Sequence, residues 1–265
     1  ATAKAGLIQV NINPAYRLSE LEYALNKSGC RALILADSFK TSDYLAMIRS
    51  LAPELETAEP GKLKSAKLPQ LEIVIGITDN PGSGIYPFAE VEAMGKSADL
   101  ARLDEITASL SPDDPINIQF TSGTTGAPKG ATLTHYNIVN NAAHTVGRMN
   151  FTEQDRLCIP VPLYHCFGMV MGSLGCVSTG SAMIFPGEAF DPDDTLKAAA
   201  LGRCTGLYGV PTMFVAMVDN PLLKELDLSS LRTGVMAGAP CPIEVMRKVI
   251  DRLHMSEVTI CYGMT

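Results

Sequence analysis

The chain has 265 residues, of which 46% are hydrophobic, and its formal net charge at pH 7 is −7. This length is enough to bury a sizeable core, as one large domain or as two fused subdomains. The acidic balance, without any Lys- or Arg-rich run, argues against binding of nucleic acid or anionic lipid through a basic surface, so an anion must bind in a local pocket.

The seven cysteines form no CxxC pair and show no metal-ligand spacing with histidine. They predict reduced thiols in a cytoplasm-like compartment. The first residues show no signal-peptide pattern. The uncharged stretch 157–187 is long enough to span a membrane, but prolines and glycines interrupt it. A strand, a buried helix and a second strand explain this stretch better.

In the first part of the chain, short apolar runs alternate with helical patterns. A capping box at 19–22 predicts the start of a helix, and Gly29 predicts its end. Pro112 and Pro115 break the chain and predict a subdomain boundary near 111–115. Further strands are predicted at 7–12, 32–36 and 71–77, and further helices at 42–51 and 100–110.

The second part repeats this alternation. Thr134 is a predicted cap of a helix that runs to about Met149, and Pro242 begins a helix with an apolar stripe that ends at Leu253. Strand–helix alternation predicts an α/β fold with largely parallel sheets covered by helices on both faces. The predicted strands are 116–120, 131–133, 156–159, 182–185, 206–210, 233–236 and 258–261.

The segment 121–130, TSGTTGAPKG, follows a predicted strand. Its glycines let backbone amides turn toward an anion, its hydroxyl groups add donors, and Lys129 adds a positive charge. The segment is not a Walker A loop, because Lys129 follows Gly126 by three residues and is not followed by Ser or Thr. A flexible linker is the alternative, but linkers are rarely bounded by two apolar strands. We therefore predict a cradle for a polyphosphate.

TSGTTGAPKG resembles the signature of the adenylate-forming (AMP-binding) superfamily, which includes acyl-CoA synthetases, peptide-synthetase adenylation domains and luciferases. PLYHCFGM at 162–169, GVMAGAPCP at 234–242 and CYGMT at 261–265 resemble further family motifs in the expected order. The narrower similarity is to bacterial fatty-acyl-CoA ligases and their mitochondrial medium-chain relatives. The resemblance spans nearly the whole chain. It implies that residues 1–265 are a fragment of the large N-terminal domain, without the C-terminal lid domain.

The resemblance implies an acid–thiol ligase that activates a medium- to long-chain fatty acid. The carboxylate attacks the α-phosphate of ATP, which gives an acyl-adenylate and pyrophosphate, and coenzyme A then displaces AMP. Mg²⁺ and preorganised donors neutralise the charge on the approaching anions. The partners are therefore small molecules, namely a fatty acid, ATP and coenzyme A, with no nucleic acid and no integral membrane segment.

The resemblance also implies roles for individual residues. Lys129 and Thr265 contact the phosphates, Tyr262 stacks on adenine, and His165 lies at the entrance of the acyl pocket, where positioning is favoured over proton transfer. Each apolar pocket residue can equally belong to the core. The implied nucleotide-binding residues are Thr121, Ser122, Gly123, Thr124, Thr125, Gly126, Lys129, Gly238, Ala239, Pro240, Tyr262, Gly263, Met264 and Thr265. The implied acyl-pocket residues are His165, Phe167, Tyr208, Val210, Thr212 and Met236.

The family's catalytic Glu, which helps to hold Mg²⁺, is expected after Thr265, and the lid lysine far downstream. We therefore expect this polypeptide alone to bind nucleotide weakly and not to turn over. An aryl-CoA ligase and an amino-acid-activating domain stay open, although GLYGV and TGVMAGAP contain no acid to hold a substrate amine. A non-catalytic nucleotide-binding module is a further alternative. The oligomeric state also stays open.

Overall fold

The computed structural model describes residues 1–98, 100–121 and 127–263. Internal contacts divide the chain into two compact units, residues 1–133 and 134–265. The boundary predicted near 111–115 falls inside the first unit, because the strand that begins at Pro115 pairs in parallel with the strand at Gln9–Asn11.

In the described part of the first unit the strands form two three-stranded sheets and one antiparallel pair. Strand β1 pairs with β7, and β8 continues that sheet, while β2, β5 and β6 form a parallel sheet and β3 and β4 an antiparallel pair. The strands are β1 (Gln9–Asn11), β2 (Ala32–Ala36), β3 (Ser38–Phe39), β4 (Ser42–Asp43), β5 (Ile73–Ile77), β6 (Tyr86–Pro87), β7 (Pro115–Phe120) and β8 (Gly130–Thr134). The helices are α1 (Leu18–Ser28), α2 (Tyr44–Leu51), α3 (Phe88–Gly95) and α4 (Leu100–Ser109), with a 3-10 turn at Pro53–Glu56.

Helix α1 begins earlier than its capping pattern predicts. The N-cap is Arg17, whose backbone N–H donates to Oε2 of Glu20 at 2.8 Å. The capping box predicted at 19–22 is therefore wrong, because Glu20 lies three residues after the true cap and reaches the free amide. The predicted end is confirmed, since Gly29 adopts the left-handed conformation with φ 65°.

The core of the first unit lies on one face of the β2–β5–β6 sheet. Helices α1 and α2 pack there through Leu25 and Ile48, against Val74 of β5. On the other face, Ile34 of β2 and Ile77 of β5 are 53% and 57% exposed.

The second unit contains one parallel sheet in the order β10-β9-β11-β12-β13. A π-helix and α6 lie between β9 and β10, which confirms the strand, buried helix and strand predicted for 157–187. None of the described helices has the length and hydrophobicity needed to cross a bilayer. The strands are β9 (Arg156–Cys158), β10 (Ala182–Ile184), β11 (Gly206–Gly209), β12 (Thr233–Ala237) and β13 (Glu257–Cys261). The helices are α5 (His135–Arg148), the π-helix (Phe167–Leu174), α6 (Gly175–Thr179), α7 (Pro192–Leu201), α8 (Pro211–Val218) and α9 (Ile243–Leu253), with a 3-10 turn at Pro221–Lys224.

Helices bury both faces of this sheet, and successive strand residues point to opposite faces. In β11, Leu207 packs in a cluster with residues of α7, α8 and α9, whereas Tyr208 packs in a second cluster with residues of α5 and the π-helix. In β12, Met236 belongs to the first cluster and Val235 to the second. The structure thus confirms an α/β fold built on parallel sheets, with helices on both faces of the largest one.

Two predicted helix starts differ in outcome. Thr134 is confirmed as the cap of α5, because its Oγ1 accepts from the Asn137 N–H at 3.2 Å while its own N–H donates to Oδ1 of Asn137 at 3.0 Å. Pro242 is the N-cap of α9 and not its first helical residue. The stripe of α9 is partly buried, since Val249 is fully buried and Ile243 is 69% exposed.

Candidate functional site

The segment predicted to cradle a polyphosphate leaves the carboxyl end of β7 and returns into β8. The backbone N–H of Thr121 donates to the carbonyl oxygen of Lys129 at 2.9 Å. The N–H of Lys129 in turn donates to Oγ1 of Thr121 at 3.1 Å. These two bonds close the base of the loop and leave the Lys129 side chain exposed within its unit. The predicted residues Ser122, Gly123, Thr124, Thr125 and Gly126 lie outside the described residues.

Tyr23 of α1 contacts both arms of this loop. Its ring meets the ring of Phe120, the last residue of β7, edge-on with centroids 6.5 Å apart. Its hydroxyl donates to the carbonyl oxygen of Pro128 at 3.2 Å, across 105 positions of sequence. Sequence reasoning missed Tyr23, because it lies beside the apolar stripe of α1 and belongs to no motif.

The remaining predicted residues follow the carboxyl ends of strands in the sheet of the second unit. Open parallel sheets bind ligands at this edge, where the loops that leave neighbouring strands lie side by side. The π-helix segment with its preceding turn follows β9, and the other loops follow β11, β12 and β13. The predicted residues on these loops are His165 and Phe167 after β9, Val210 and Thr212 after β11, Gly238, Ala239 and Pro240 after β12, and Tyr262 and Gly263 after β13.

His165 occupies a tight turn directly before the π-helix and is exposed within its unit. Its Nδ1 accepts the backbone N–H of Phe167 at 3.1 Å and lies 3.6 Å from Sγ of Cys166. The Cys166 side chain raises the pKa of His165 above its ordinary value, whereas partial desolvation lowers it. Because the Phe167 amide donates to Nδ1, the neutral ring carries its proton on Nε2, as a donor pointing away from the turn.

Tyr208 and Phe167, two of the predicted pocket residues, contact each other within a hydrophobic cluster. Their ring centroids are 5.2 Å apart, and the Tyr208 hydroxyl donates to the carbonyl oxygen of Met171 at 3.2 Å. Tyr208 is completely buried, and burial raises the pKa of its hydroxyl far above the ordinary value, so this group stays a donor. Tyr208 of β11 therefore binds the backbone of the π-helix through its hydroxyl.

The other predicted pocket residues take different positions relative to this pair. Met236 is fully buried on the opposite face of the sheet, because in parallel register it is paired with Gly209 and not with Tyr208. Val210 packs at the border of the cluster that contains Tyr208, and Thr212 is exposed on the first turn of α8. Side chains alternate between the two faces along a strand, so Met236 and Tyr208 lie on opposite faces of the sheet. A sequence motif does not show this alternation.

The loop predicted to face adenine leaves β12 through Gly238. This glycine has φ 88°, and a Cβ there would lie 3.1 Å from Cγ1 of Val210, so the turn favours glycine on both counts. Ala239 and Pro240 follow it and are exposed. Tyr262 is 99% exposed at the end of β13, which leaves its ring open for stacking. The predicted residues Met264 and Thr265 lie outside the described residues.

A surface cavity of about 540 Å³ lies at the opposite, amino edge of the same sheet. Residues before β11 and β12 line it, among them Arg203, Ser229 and Ser230. None of the predicted site residues lines this cavity. In the part of the chain that the structure describes, no group of three His, Cys, Asp or Glu side chains is placed to hold a metal ion, so no magnesium ligand is assigned there.

The fold matches that of solved protein structures. The inhibitor-bound N-terminal domain of FACL13 from Mycobacterium tuberculosis superimposes with a TM-score of 0.77 at 24% identity, over 99% of this chain and 58% of that one. ATP-bound MatB from Rhodopseudomonas palustris gives a TM-score of 0.72 at 24% identity, over 100% of this chain and 46% of that one. The chain therefore has the α/β fold of the FACL13 N-terminal domain.

The family follows from the sequence. The model of the AMP-binding enzyme family matches residues 1–265, and this chain belongs to that family. The Bacillus subtilis protein YngI, named as an acyl-CoA synthetase, is 49% identical over all of this chain and 48% of its own length. The mitochondrial medium-chain acyl-CoA ligase ACSF2 of Danio rerio is 48% identical over all of this chain and 44% of its own length. The chain thus spans about half the length of these relatives.

Proposed function

We propose that the full-length protein containing this chain is an acid–thiol ligase, which uses ATP to convert a medium- to long-chain fatty acid into its coenzyme A thioester. The observation that carries the proposal is the match of the AMP-binding family model to residues 1–265. The names of the two relatives, an acyl-CoA synthetase and a medium-chain acyl-CoA ligase, support the choice of acid and of acceptor thiol. We place the protein in a reducing compartment, which is the bacterial cytoplasm or the mitochondrial matrix.

In this proposal the loop between β7 and β8 holds the β- and γ-phosphates of ATP. The bonds between Thr121 and Lys129 close the base of the loop, so the lysine is held at a fixed point of the backbone. Its ammonium group neutralises the charge that develops on departing pyrophosphate. Thr265, outside the described residues, bonds the α-phosphate.

The loops of the second unit position the base and the acid. The exposed ring of Tyr262 stacks on adenine, with Gly238, Ala239 and Pro240 offering a thin backbone surface for a flat base. His165 positions the reacting carboxylate through its Nε2–H, because Nδ1 is taken by the Phe167 amide. A donor at this point orients the nucleophile and partly neutralises its charge. The role of His165 is therefore positioning rather than proton transfer.

Magnesium and coenzyme A complete the proposed reaction. Mg²⁺ enters with the nucleotide and supplies charge neutralisation. The described residues contain no ligand set for it, and no step here is assigned to it. Coenzyme A thiolate attacks the acyl carbonyl carbon of the adenylate, the bond to the phosphate oxygen breaks, and AMP leaves with the electron pair.

The test is the pyrophosphate exchange catalysed by the full-length enzyme. Lys129→Ala should lower kcat/KM for ATP by about 100-fold, the effect of removing one preorganised donor of transition-state charge. Lys64→Ala is the matched control, since Lys64 is an exposed lysine of the same unit. If Lys129→Ala retains the wild-type rate, the loop is not the phosphate site. If the wild-type enzyme shows no exchange that depends on a fatty acid, the proposed function is rejected.

A panel of acids separates the proposed substrate from the alternatives. We expect octanoate to palmitate to support thioester formation, and benzoate or free amino acids to support much less. An aryl-CoA ligase would prefer benzoate, and an amino-acid-activating domain would release pyrophosphate with amino acids alone. A non-catalytic module would turn over none of the panel.

A further inference from the structure

Tyr23 is anchored on its helix side by the core of the first unit. Its neighbours Ala24 and Leu25 are 0% and 2% exposed, so this turn of α1 is fixed by packing. The Tyr23 side chain itself is half-buried and reaches away from that core toward β7. A rigid backbone thus presents a ring and a hydroxyl to the neighbouring loop.

The two contacts of Tyr23 fall on opposite arms of the loop that begins at Thr121. The ring meets Phe120, one residue before Thr121, and the hydroxyl donates to the carbonyl oxygen of Pro128, one residue before Lys129. Thr121 and Lys129 are themselves the pair that closes the base of the loop. Tyr23 therefore touches the residue before each member of that pair.

We propose that Tyr23 is a positioning residue for ATP, which fixes the two arms of the phosphate loop against α1 and so sets the place of Lys129. This inference rests on the proposed phosphate role of the loop. The ring of Pro128 restricts φ, so ψ is its main free backbone torsion, and a hydrogen bond to its carbonyl oxygen restricts ψ as well. The Phe120 contact limits the rotation of the other arm, since aromatic pairs favour edge-on geometry.

The experiment compares Tyr23→Phe and Tyr23→Leu in the full-length enzyme. Phe keeps the ring contact and loses the hydroxyl, so KM for ATP should rise about three- to tenfold, the effect of one hydrogen bond. Leu loses both contacts and should raise KM for ATP further. The KM for the fatty acid should change less than twofold in both variants, because Tyr23 holds only the phosphate loop.

Tyr44→Phe is the matched control, because the Tyr44 hydroxyl also donates to a backbone carbonyl of the same unit, that of Pro14 at 2.8 Å. A second readout is the rise in melting temperature caused by ATP, which should be smaller for Tyr23→Phe than for Tyr44→Phe. The inference is overturned if Tyr23→Phe matches the control in both readouts. It is also overturned if KM for ATP and KM for the acid rise together.

The two proposals fail separately. If Lys129→Ala weakens ATP use and Tyr23→Phe does not, the phosphate loop stands and the positioning role of Tyr23 is rejected. If neither variant affects ATP use, the phosphate role of the loop is rejected as well, whereas the ligase function is rejected only if the wild-type enzyme shows no exchange that depends on a fatty acid.

Discussion

Arg232 connects several chain segments at the amino edge of the sheet in the second unit. Its guanidinium donates to both carboxylate oxygens of Asp155, at 2.9 and 3.0 Å, and to Oε2 of Glu257 at 3.0 Å. It also donates to the carbonyl oxygens of Met149 and Asn150. Asp155 precedes β9, Arg232 precedes β12, and Glu257 begins β13. A planar group with five donors can hold this arrangement, and a lysine cannot.

The carboxylate of Asp155 is buried and well supplied with donors. Burial raises the pKa of this carboxyl, but hydrogen bonds from Thr205, the Thr152 N–H and Arg232 lower it by more, so the net pKa lies below the ordinary value. The Thr205 hydroxyl is 2.6 Å from Oδ1. Asp155 is therefore ionised in the folded protein under all but strongly acidic conditions.

This depressed pKa predicts a stability difference that depends on pH. A carboxyl with a folded pKa below its unfolded value stabilises the fold above pH about 4, and this contribution is lost as pH falls through the folded pKa. Asp155→Asn should lower the free energy of unfolding at pH 7 by about 1–3 kcal/mol. The difference in free energy of unfolding between this variant and wild type, measured by urea unfolding, should become smaller as pH falls below about 4.

Asp251→Asn is the control for that series, because Asp251 is exposed on α9. It should change the free energy of unfolding little at any pH. If the difference in free energy of unfolding between Asp155→Asn and wild type stays constant down to the pH of acid unfolding, the destabilisation comes from packing and not from the charge.

At the scale of elements, the π-helix depends on a partner from the sheet. The Gly175 N–H donates to the carbonyl oxygen of Val170, five residues back, so the carbonyl of Met171, four residues back, does not receive the bond that an α-helix would give it. Tyr208 donates to that carbonyl from β11. The hydrogen-bond pattern of the π-helix thus leaves the Met171 carbonyl without its α-helical partner, and the Tyr208 hydroxyl binds it.

Tyr208→Phe removes this donor and leaves the ring contact with Phe167 in place. We expect the free energy of unfolding to fall by about 0.5–1.5 kcal/mol, because a buried carbonyl loses its partner. Tyr136→Phe, a change at an exposed tyrosine of α5, should be neutral. Equal melting temperatures for the two variants would mean that the hydroxyl does not hold the π-helix.

Two glycines give opposite predictions for the same substitution. A Cβ on Gly234 would collide with the carbonyl oxygen of Leu207 in the paired strand β11, whereas a Cβ on Gly147, near the end of α5, meets nothing within 4 Å. Gly234→Ala should cost about 3 kcal/mol or more, because a paired backbone has to move. Gly147→Ala should stabilise by about 0.4–1 kcal/mol.

Chemical unfolding of the two variants checks this pair directly. Gly147→Ala serves as the control that alanine as such is tolerated. A Gly234→Ala variant as stable as wild type would contradict the parallel register between β11 and β12.

At the scale of the molecule, protection from hydrogen exchange should follow the position of strands in the sheet. The amides of β12 should exchange slowest in the second unit, because β12 is flanked on both sides and all five of its residues are buried. The edge strand β10 should exchange faster by about 100-fold or more. Peptide-level exchange measured by mass spectrometry decides this, and equal protection of β10 and β12 would contradict it.

The sequence was most informative where a pattern is local. Strand β2 was predicted with its observed bounds, and the Gly29 and Thr134 caps are confirmed, because a cap depends on a few neighbouring residues. Strand β6 and helix α3 were missed. A strand of two residues, Tyr86–Pro87, exists only through its pairing with β5, and no local pattern of that length can indicate it.

The candidate site was predictable in its motifs and not in its packing. The motifs placed Thr121, Lys129 and His165 on loops that follow strands, as the structure has them. The contact of Tyr23 with Pro128 spans 105 positions, and the face to which Met236 points depends on strand register. Such facts arise from tertiary pairing, which a motif does not encode.

The pairing of β1 with β7 has a consequence for synthesis of the protein. Nδ2 of Asn117 donates to the carbonyl oxygen of Gln9 at 2.9 Å, although 108 positions separate them. Contacts of such long range carry the loop-closure cost that slows folding. On the ribosome, β2 can meet β5 well before β1 meets its partner, so a nascent chain carries β1 as an unpaired strand until translation has passed β7. The end of β7, which leads into the loop between β7 and β8, is therefore among the last parts of the first unit to reach its folded position.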